Sequence, residues 1–88
     1  MNPSNVICLE DLPVGHEAKI VQLAGGHGLR YRLASMGLKP GIRVKMMATR
    51  GHGPARIATG DARMAIGHGM ARKIMVDDSG GIGDEGGR

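Results

Sequence analysis

The sequence predicts a mostly β protein, a small barrel of five short strands with one short helix between the first and second strands. Two neighbouring patterns carry this prediction. Residues 42–46 alternate apolar and basic side chains, Ile-Arg-Val-Lys-Met, which is the period of a strand with one buried face. Just before them, Leu29, Leu33 and Met36 fall at i, i+4 and i+7, the spacing of an apolar stripe on a helix.

The residues between this helix and this strand are typical of a helix stop. Gly37 can adopt the left-handed conformation that ends a helix, and Leu38 is expected to fold back onto Leu33 as in a Schellman motif. Pro40 prevents further helix, and Gly41 permits a positive φ in the turn that follows. We therefore expect the chain to leave the helix here and to enter the strand at once.

The remaining elements follow from turn residues. Gly60-Asp61 is a two-residue reversal between two short strand-like stretches, which is a hairpin signal. Residues 1–6 are expected to be a mobile lead-in, and residues 67–71 a single turn. The strands are predicted at residues 17–23, 42–49, 55–59, 62–66 and 72–76, with the helix at residues 29–36. Five short strands with one short helix between strands 1 and 2 describe an SH3-like barrel, whereas an OB-like barrel usually has its helix later.

Composition limits what this fold can contain. The chain has 88 residues with no Phe, no Trp and one Tyr, so a single domain is expected, with a core of Ile, Val, Leu, Ala and some of its 7 Met. Cys8 has no partner for an internal disulfide, and neither a signal peptide nor a long apolar run is present, so we expect a cytoplasmic protein. Few acidic residues and a small barrel without room for a substrate pocket argue against an enzyme, and no cofactor is expected.

Charge is unevenly distributed along the chain. The formal net charge is +4, but without residues 77–88 there are 11 Lys and Arg against 4 Asp and Glu, a net +7. A body this cationic favours an acidic protein, an anionic membrane face or nucleic acid as a partner, or it serves solubility alone. Residues 78–88 contain 5 Gly and little apolar surface, so this Gly-rich tail is expected to be disordered.

Three stretches of the sequence resemble one known family. Residues 32–41, Arg-Leu-Ala-Ser-Met-Gly-Leu-Lys-Pro-Gly, are similar to the central signature of bacterial ferrous-iron transport protein A, the FeoA family. Residues 11–20 resemble its opening pattern DLxxGxxAxI, and residues 71–76 its closing AxxIxV strand. The resemblance covers about residues 7–77 and implies an SH3-like barrel domain with those bounds.

The resemblance also implies a function and a partner. It implies a small cytoplasmic accessory protein of bacterial ferrous-iron uptake, which docks on FeoB, the GTPase-containing membrane permease of that system, and regulates it. The protein would be peripheral to the membrane through this partner, and no nucleic acid is expected.

The helix is the predicted docking surface. A helical wheel turns Tyr31 and Ser35 away from the apolar stripe, and Arg and Tyr are enriched at interface hot spots. Alternatively, Tyr31 lies over the barrel edge with its hydroxyl in water. Basic residues on the second strand and near the last strand would add electrostatic steering. The predicted partner-binding residues are Arg30, Tyr31, Arg32, Ser35, Arg43, Lys45 and Arg72.

Other interpretations remain open at this point. Three histidines flanked by glycine, His27, His52 and His68, are weak candidates for a transition-metal site, with Cys8 or a Met as a fourth ligand. Two absences argue against a metal site. The sequence has no CxxC or HxxxH motif, and no carboxylate lies near any of the three histidines in sequence. Met47 and Met75 are expected to face outward on their strands. Two further alternatives are a nucleic-acid-binding barrel and a relative of the SH3-like domain of metal-dependent repressors. The protein could also form a homodimer.

Overall fold

The computed structural model describes residues 6–49 and 53–78, which form one six-stranded antiparallel sheet with two short helices. The strands follow the order β1-β6-β2-β3-β4-β5 across the sheet. A 3₁₀ turn, Leu9–Asp11, follows β1; helix α1, His27–Ser35, lies between β2 and β3, and helix α2, His68–Ala71, lies between β5 and β6. The strands are β1 Val6–Cys8, β2 Glu17–Leu23, β3 Arg43–Ala48, β4 Ala55–Thr59, β5 Ala62–Ile66 and β6 Ile74–Asp77.

The predicted class is confirmed, and the sheet has one strand more than predicted. β2, β4 and β5 have the predicted bounds, and β3 differs by one residue at each end. The last strand, predicted at residues 72–76, is Ile74–Asp77 instead. The additional strand is β1, which lies partly in the stretch expected to be a lead-in. It pairs with β6, with Val6 opposite Asp77 and Cys8 opposite Met75. Three residues are too few to show an alternating pattern, so only the distant partner strand makes this segment a strand.

The core contains no aromatic side chain. It is built from fifteen buried Leu, Ile, Val, Ala and Met residues. Met46 lies fully inside it, and Met64 and Met70 pack against it half-buried, as expected of flexible side chains that fill irregular space. Leu9 and Leu12, at the 3₁₀ turn, are also fully buried, so this turn covers one end of the core as well as linking β1 to β2.

The helix stop forms as predicted, with one correction. The Leu38 amide donates to the Leu33 carbonyl at 2.8 Å and the Gly37 amide to the Ala34 carbonyl at 2.9 Å, which is the Schellman pattern. Gly37 has a φ of 88°, and Leu38 is fully buried. Met36 was expected on the buried stripe, but it is 36% exposed, because the helix ends at Ser35 and Leu38 fills the inward position instead.

Two glycines near α1 give a matched test of this stop. We expect Gly37→Ala to destabilise the protein by about 1–2 kcal/mol, because an L-residue is disfavoured at positive φ while no atom lies within 4 Å of the added methyl group. Gly28→Ala, inside α1 and equally open, should be neutral or gain up to about 1 kcal/mol. Denaturant unfolding of both variants measures the difference. Equal stabilities would contradict the assigned role of Gly37.

Two further features bear on the sequence predictions. Neither helix in residues 6–49 and 53–78 is long and apolar enough to cross a membrane. The predicted disordered tail lies outside the described residues except for Asp78, whose carboxylate is 3.1 Å from the His16 ring.

Candidate protein-docking site

Helix α1 is attached to the sheet by few side chains. Of its nine residues only Leu33 is fully buried, and Leu29 packs against the core half-buried. No side chain caps the helix N-terminus at Gly26. Most of the surface of α1 therefore faces solvent, where it is available for contact with another molecule.

The outer surface of α1 carries an exposed aromatic ring between two cations. Tyr31 is 79% exposed, which confirms its predicted position, and Arg30 and Arg32 on either side are also exposed. The ion pairs among the described residues use neither arginine. Helix α1 contains no acidic residue, so its positive charge is not neutralised locally. Tyrosine and arginine are the residue types that most often dominate the binding energy of an interface.

A groove borders the same helix. It has a volume of about 560 Å³ and runs between α1 and the end of β2. Arg30 lines it together with Val21, Leu23 and Pro40, and Val21 is 39% exposed. An apolar side chain of a partner could enter this groove while its carboxylates contact Arg30. Sequence reasoning missed the groove, because residues of β2 and of the turn before β3 meet there only in the folded chain.

The two predicted basic residues of β3 lie side by side on its exposed positions. Arg43 is opposite Lys19 and Lys45 is opposite Glu17 in the pairing of β3 with β2. The Arg43 guanidinium lies 3.3 Å from the Glu17 carboxylate, so its charge is partly neutralised. Lys45 has no carboxylate partner among the described side chains. Lys45 is therefore the stronger candidate of the two for steering an acidic partner.

Two other predicted residues have local contacts of their own. The Ser35 hydroxyl donates to the Arg32 carbonyl at 2.7 Å, so it is used within the helix. Arg72, after α2, lies 3.9 Å from the Glu10 carboxylate, which is also 2.8 Å from the His68 ring. The structure thus groups Arg30, Tyr31, Arg32 and Ser35 on α1 and places Arg72 in a separate charged cluster around Glu10.

Comparison with known proteins decides the family. The FeoA domain model matches residues 7–78, which is most of the chain and agrees with the stretch that carried the resemblance. The chain belongs to the FeoA family. Fe(2+) transport protein A of Methanocaldococcus jannaschii is 38% identical over 65 residues, which are 74% of this chain and 78% of that protein. The family is one of ferrous-iron transport proteins.

Solved structures agree with the fold. A crystal structure of an iron uptake regulatory protein, FeoA, has a TM-score of 0.78 at 38% identity and covers 82% of this chain and 96% of its own. Stenotrophomonas maltophilia FeoA in complex with zinc, described as an SH3 domain protein, has a TM-score of 0.66 at 26% identity, with coverages of 81% and 89%. The predicted SH3-like fold is confirmed. A manganese-dependent transcriptional repressor, 19% identical with a TM-score of 0.78, shares the fold over 89% of this chain and 44% of its own.

The candidate metal ligands of this FeoA chain do not converge within the described residues. His27 is exposed at the start of α1, His68 lies on α2, and His52 lies outside the described ranges. No group of three or more His, Cys, Asp or Glu side chains that could hold a metal occurs in residues 6–49 and 53–78. Cys8 is half-buried on β1.

The structure does, however, place two histidines beside carboxylates, which sequence reasoning missed. His16 contacts Asp78, 62 residues further along the chain, and His68 contacts Glu10. Sequence spacing cannot reveal partners this distant. Each contact brings together one histidine and one carboxylate, too few ligands to hold a metal ion by themselves.

Proposed function

We propose that this FeoA protein is a small cytoplasmic adaptor of ferrous-iron uptake, which docks on the cytoplasmic side of the FeoB permease and regulates it. Family membership supplies the transport system. The observation that carries the docking role is the surface of α1, where Tyr31 is 79% exposed between two arginines that form no ion pair within residues 6–49 and 53–78. The core of the described residues does not include Tyr31 or its two neighbouring arginines, so all three side chains are accessible to a partner.

The geometry favours a docking partner whose surface is acidic and contains an apolar pocket. Tyr31 can bury an aromatic ring of about 150–250 Å² while its hydroxyl keeps a hydrogen bond. Arg30 and Arg32 present planar guanidinium groups that match carboxylates in pairs. Lys45 adds a longer-range attraction that speeds encounter rather than holding the complex. The docked helix would be α1, whose attachment through Leu33 leaves the rest of its surface available.

Nucleic acid is the second candidate partner, and only the charge of the protein favours it. The body without residues 77–88 carries a net +7. Single-strand binders stack bases on aromatic side chains, and this chain has one Tyr and no Phe or Trp. We therefore expect no mobility shift with single-stranded or duplex DNA at about 50 mM salt, where electrostatic binding is strong.

The charge on α1 makes docking sensitive to ionic strength. We expect the Kd for the cytoplasmic domain of the cognate FeoB to rise about tenfold between about 50 and 300 mM NaCl, because salt screens exposed charges. Titration calorimetry at the two salt concentrations measures this, with both proteins shown to be folded by their amide spectra. A Kd unaffected by salt, or no binding at low salt, would contradict the proposed docking.

A further inference from the structure

Strand β5 ends the sheet with an open edge. All five of its residues pair with β4, from Thr59 opposite Ala62 to Ala55 opposite Ile66. On its other side no strand of the described chain is paired with it, and no loop in the described ranges donates a backbone hydrogen bond to it. Arg63 and Ala65 are exposed there. An open edge strand without proline presents backbone donors and acceptors to which an extended chain can add.

A partly apolar groove lies beside this edge. It has a volume of about 370 Å³, and Met47 and Met64 line it with Arg56 and Arg63. The pairing of β3 with β4 shifts between Met46 and Ala48, which makes Met47 the extra residue of a bulge. The bulge leaves Met47 40% exposed, as its predicted outward position requires. Methionine side chains adapt to varied apolar partners, so the half-buried Met64 on the edge strand can contact an apolar side chain of an added strand.

The charges of the groove select the partner. Arg56 is opposite Ala65 and Arg63 is opposite Ala58, so the two arginines are diagonal neighbours on adjacent strands. The ion pairs in the described part of the chain involve neither of them. No acidic residue lines the groove. A second copy of this chain would bring four arginines together, which like-charge repulsion disfavours, whereas an acidic segment would neutralise them.

We propose that the β5 edge and its groove form a second binding surface, for an extended acidic peptide segment of a partner protein. The segment adds to β5 as a further strand. Its alternate side chains set carboxylates against Arg63 and Arg56 on the exposed face and an apolar side chain beside Met64 on the other face. Backbone hydrogen bonds supply affinity and the arginines supply selectivity. This surface consists of β3, β4 and β5 residues, and none of them belongs to α1. The proposal for this second surface therefore does not depend on whether α1 binds FeoB.

A peptide titration of the full-length protein tests this surface. The probe is a capped peptide of about eight residues with alternating Glu and Val, long enough for one strand. A peptide of the same length with alternating Lys and Val is the control. In ¹⁵N and methyl spectra we expect the acidic peptide to shift the amides of residues 62–66 and the methyl group of Met64. The basic peptide should shift none of these signals.

A pair of matched variants sharpens the test. Arg56→Glu/Arg63→Glu should weaken binding of the acidic peptide at least about tenfold, whereas Arg30→Glu/Arg32→Glu, with the same change of net charge, should leave it within about twofold. Each reversal at Arg56 and Arg63 is also made singly, so that a double variant that fails to fold does not remove the comparison. Equal binding of both peptides, shifts confined to α1, or shifts at β5 that follow protein concentration without peptide would overturn the proposal, the last in favour of self-association.

Discussion

Reversing both arginines beside Tyr31, in Arg30→Glu/Arg32→Glu, is expected to weaken binding to the cytoplasmic domain of FeoB about a hundredfold. Each charge that meets an acidic partner at close range contributes about 1.4 kcal/mol or more, and reversal replaces attraction by repulsion. Neither arginine has a carboxylate partner in the described part of the chain, and both are exposed. Stability should therefore change by no more than about 0.5 kcal/mol.

The matched control for this variant reverses two arginines outside α1. Arg56→Glu/Arg63→Glu makes the same change of net charge on β4 and β5, outside α1. Titration calorimetry of both variants separates a specific docking face from a general effect of charge. We expect the β4 and β5 variant to lose less than about fivefold in affinity, since long-range steering is all it removes. Equal losses in the two variants would show that α1 is not the docking face.

Leu33→Ala is expected to have the largest effect on stability among substitutions in α1, a loss of about 3 kcal/mol. Leu33 is fully buried, and truncation of such a side chain removes its transfer free energy and leaves a cavity. Leu29 is only half-buried, so Leu29→Ala should cost about 1 kcal/mol. Denaturant unfolding measures both values.

The same substitution tests how α1 is held. Because Leu33 is the one fully buried residue of the helix, we expect Leu33→Ala to lower amide exchange protection in residues 27–35 more than in β2 or β6. Binding to the cytoplasmic domain of FeoB should weaken too, since the docking face is no longer held in place. If Leu33→Ala costs no more than Leu29→Ala, or protection falls evenly across the protein, the helix is not anchored in this way.

Local patterns were sufficient to predict most of the fold. Short strands with an alternating face, such as β4 and β5, have their bounds marked by turn residues, and the positive φ of Gly60 lets the chain reverse between them. The end of α1 at Gly37 could also be predicted, because its hydrogen bonds join residues within six positions of each other. The strand β1 could not be predicted from local patterns, because it forms by pairing with β6, which lies far along the chain.

Only those features of the candidate site that depend on local sequence could be predicted. The exposure of Tyr31 follows from helical periodicity within α1, and the structure confirms it. Contacts between distant residues, such as Arg72 with Glu10, follow from the three-dimensional path of the chain and had no signal in the sequence. The groove at Met47 depends on a register shift between two strands, which alternation alone does not indicate.

The most direct test of docking through α1 is an amide NMR titration of the ¹⁵N-labelled protein with the cytoplasmic domain of FeoB, with and without guanine nucleotide. We predict that the shifts cluster on residues 29–37, with Tyr31 at their centre, and weaken as salt is raised. Shifts that cluster instead on β5 or around Glu10, or no shifts while both proteins are folded, would contradict a docking face on α1.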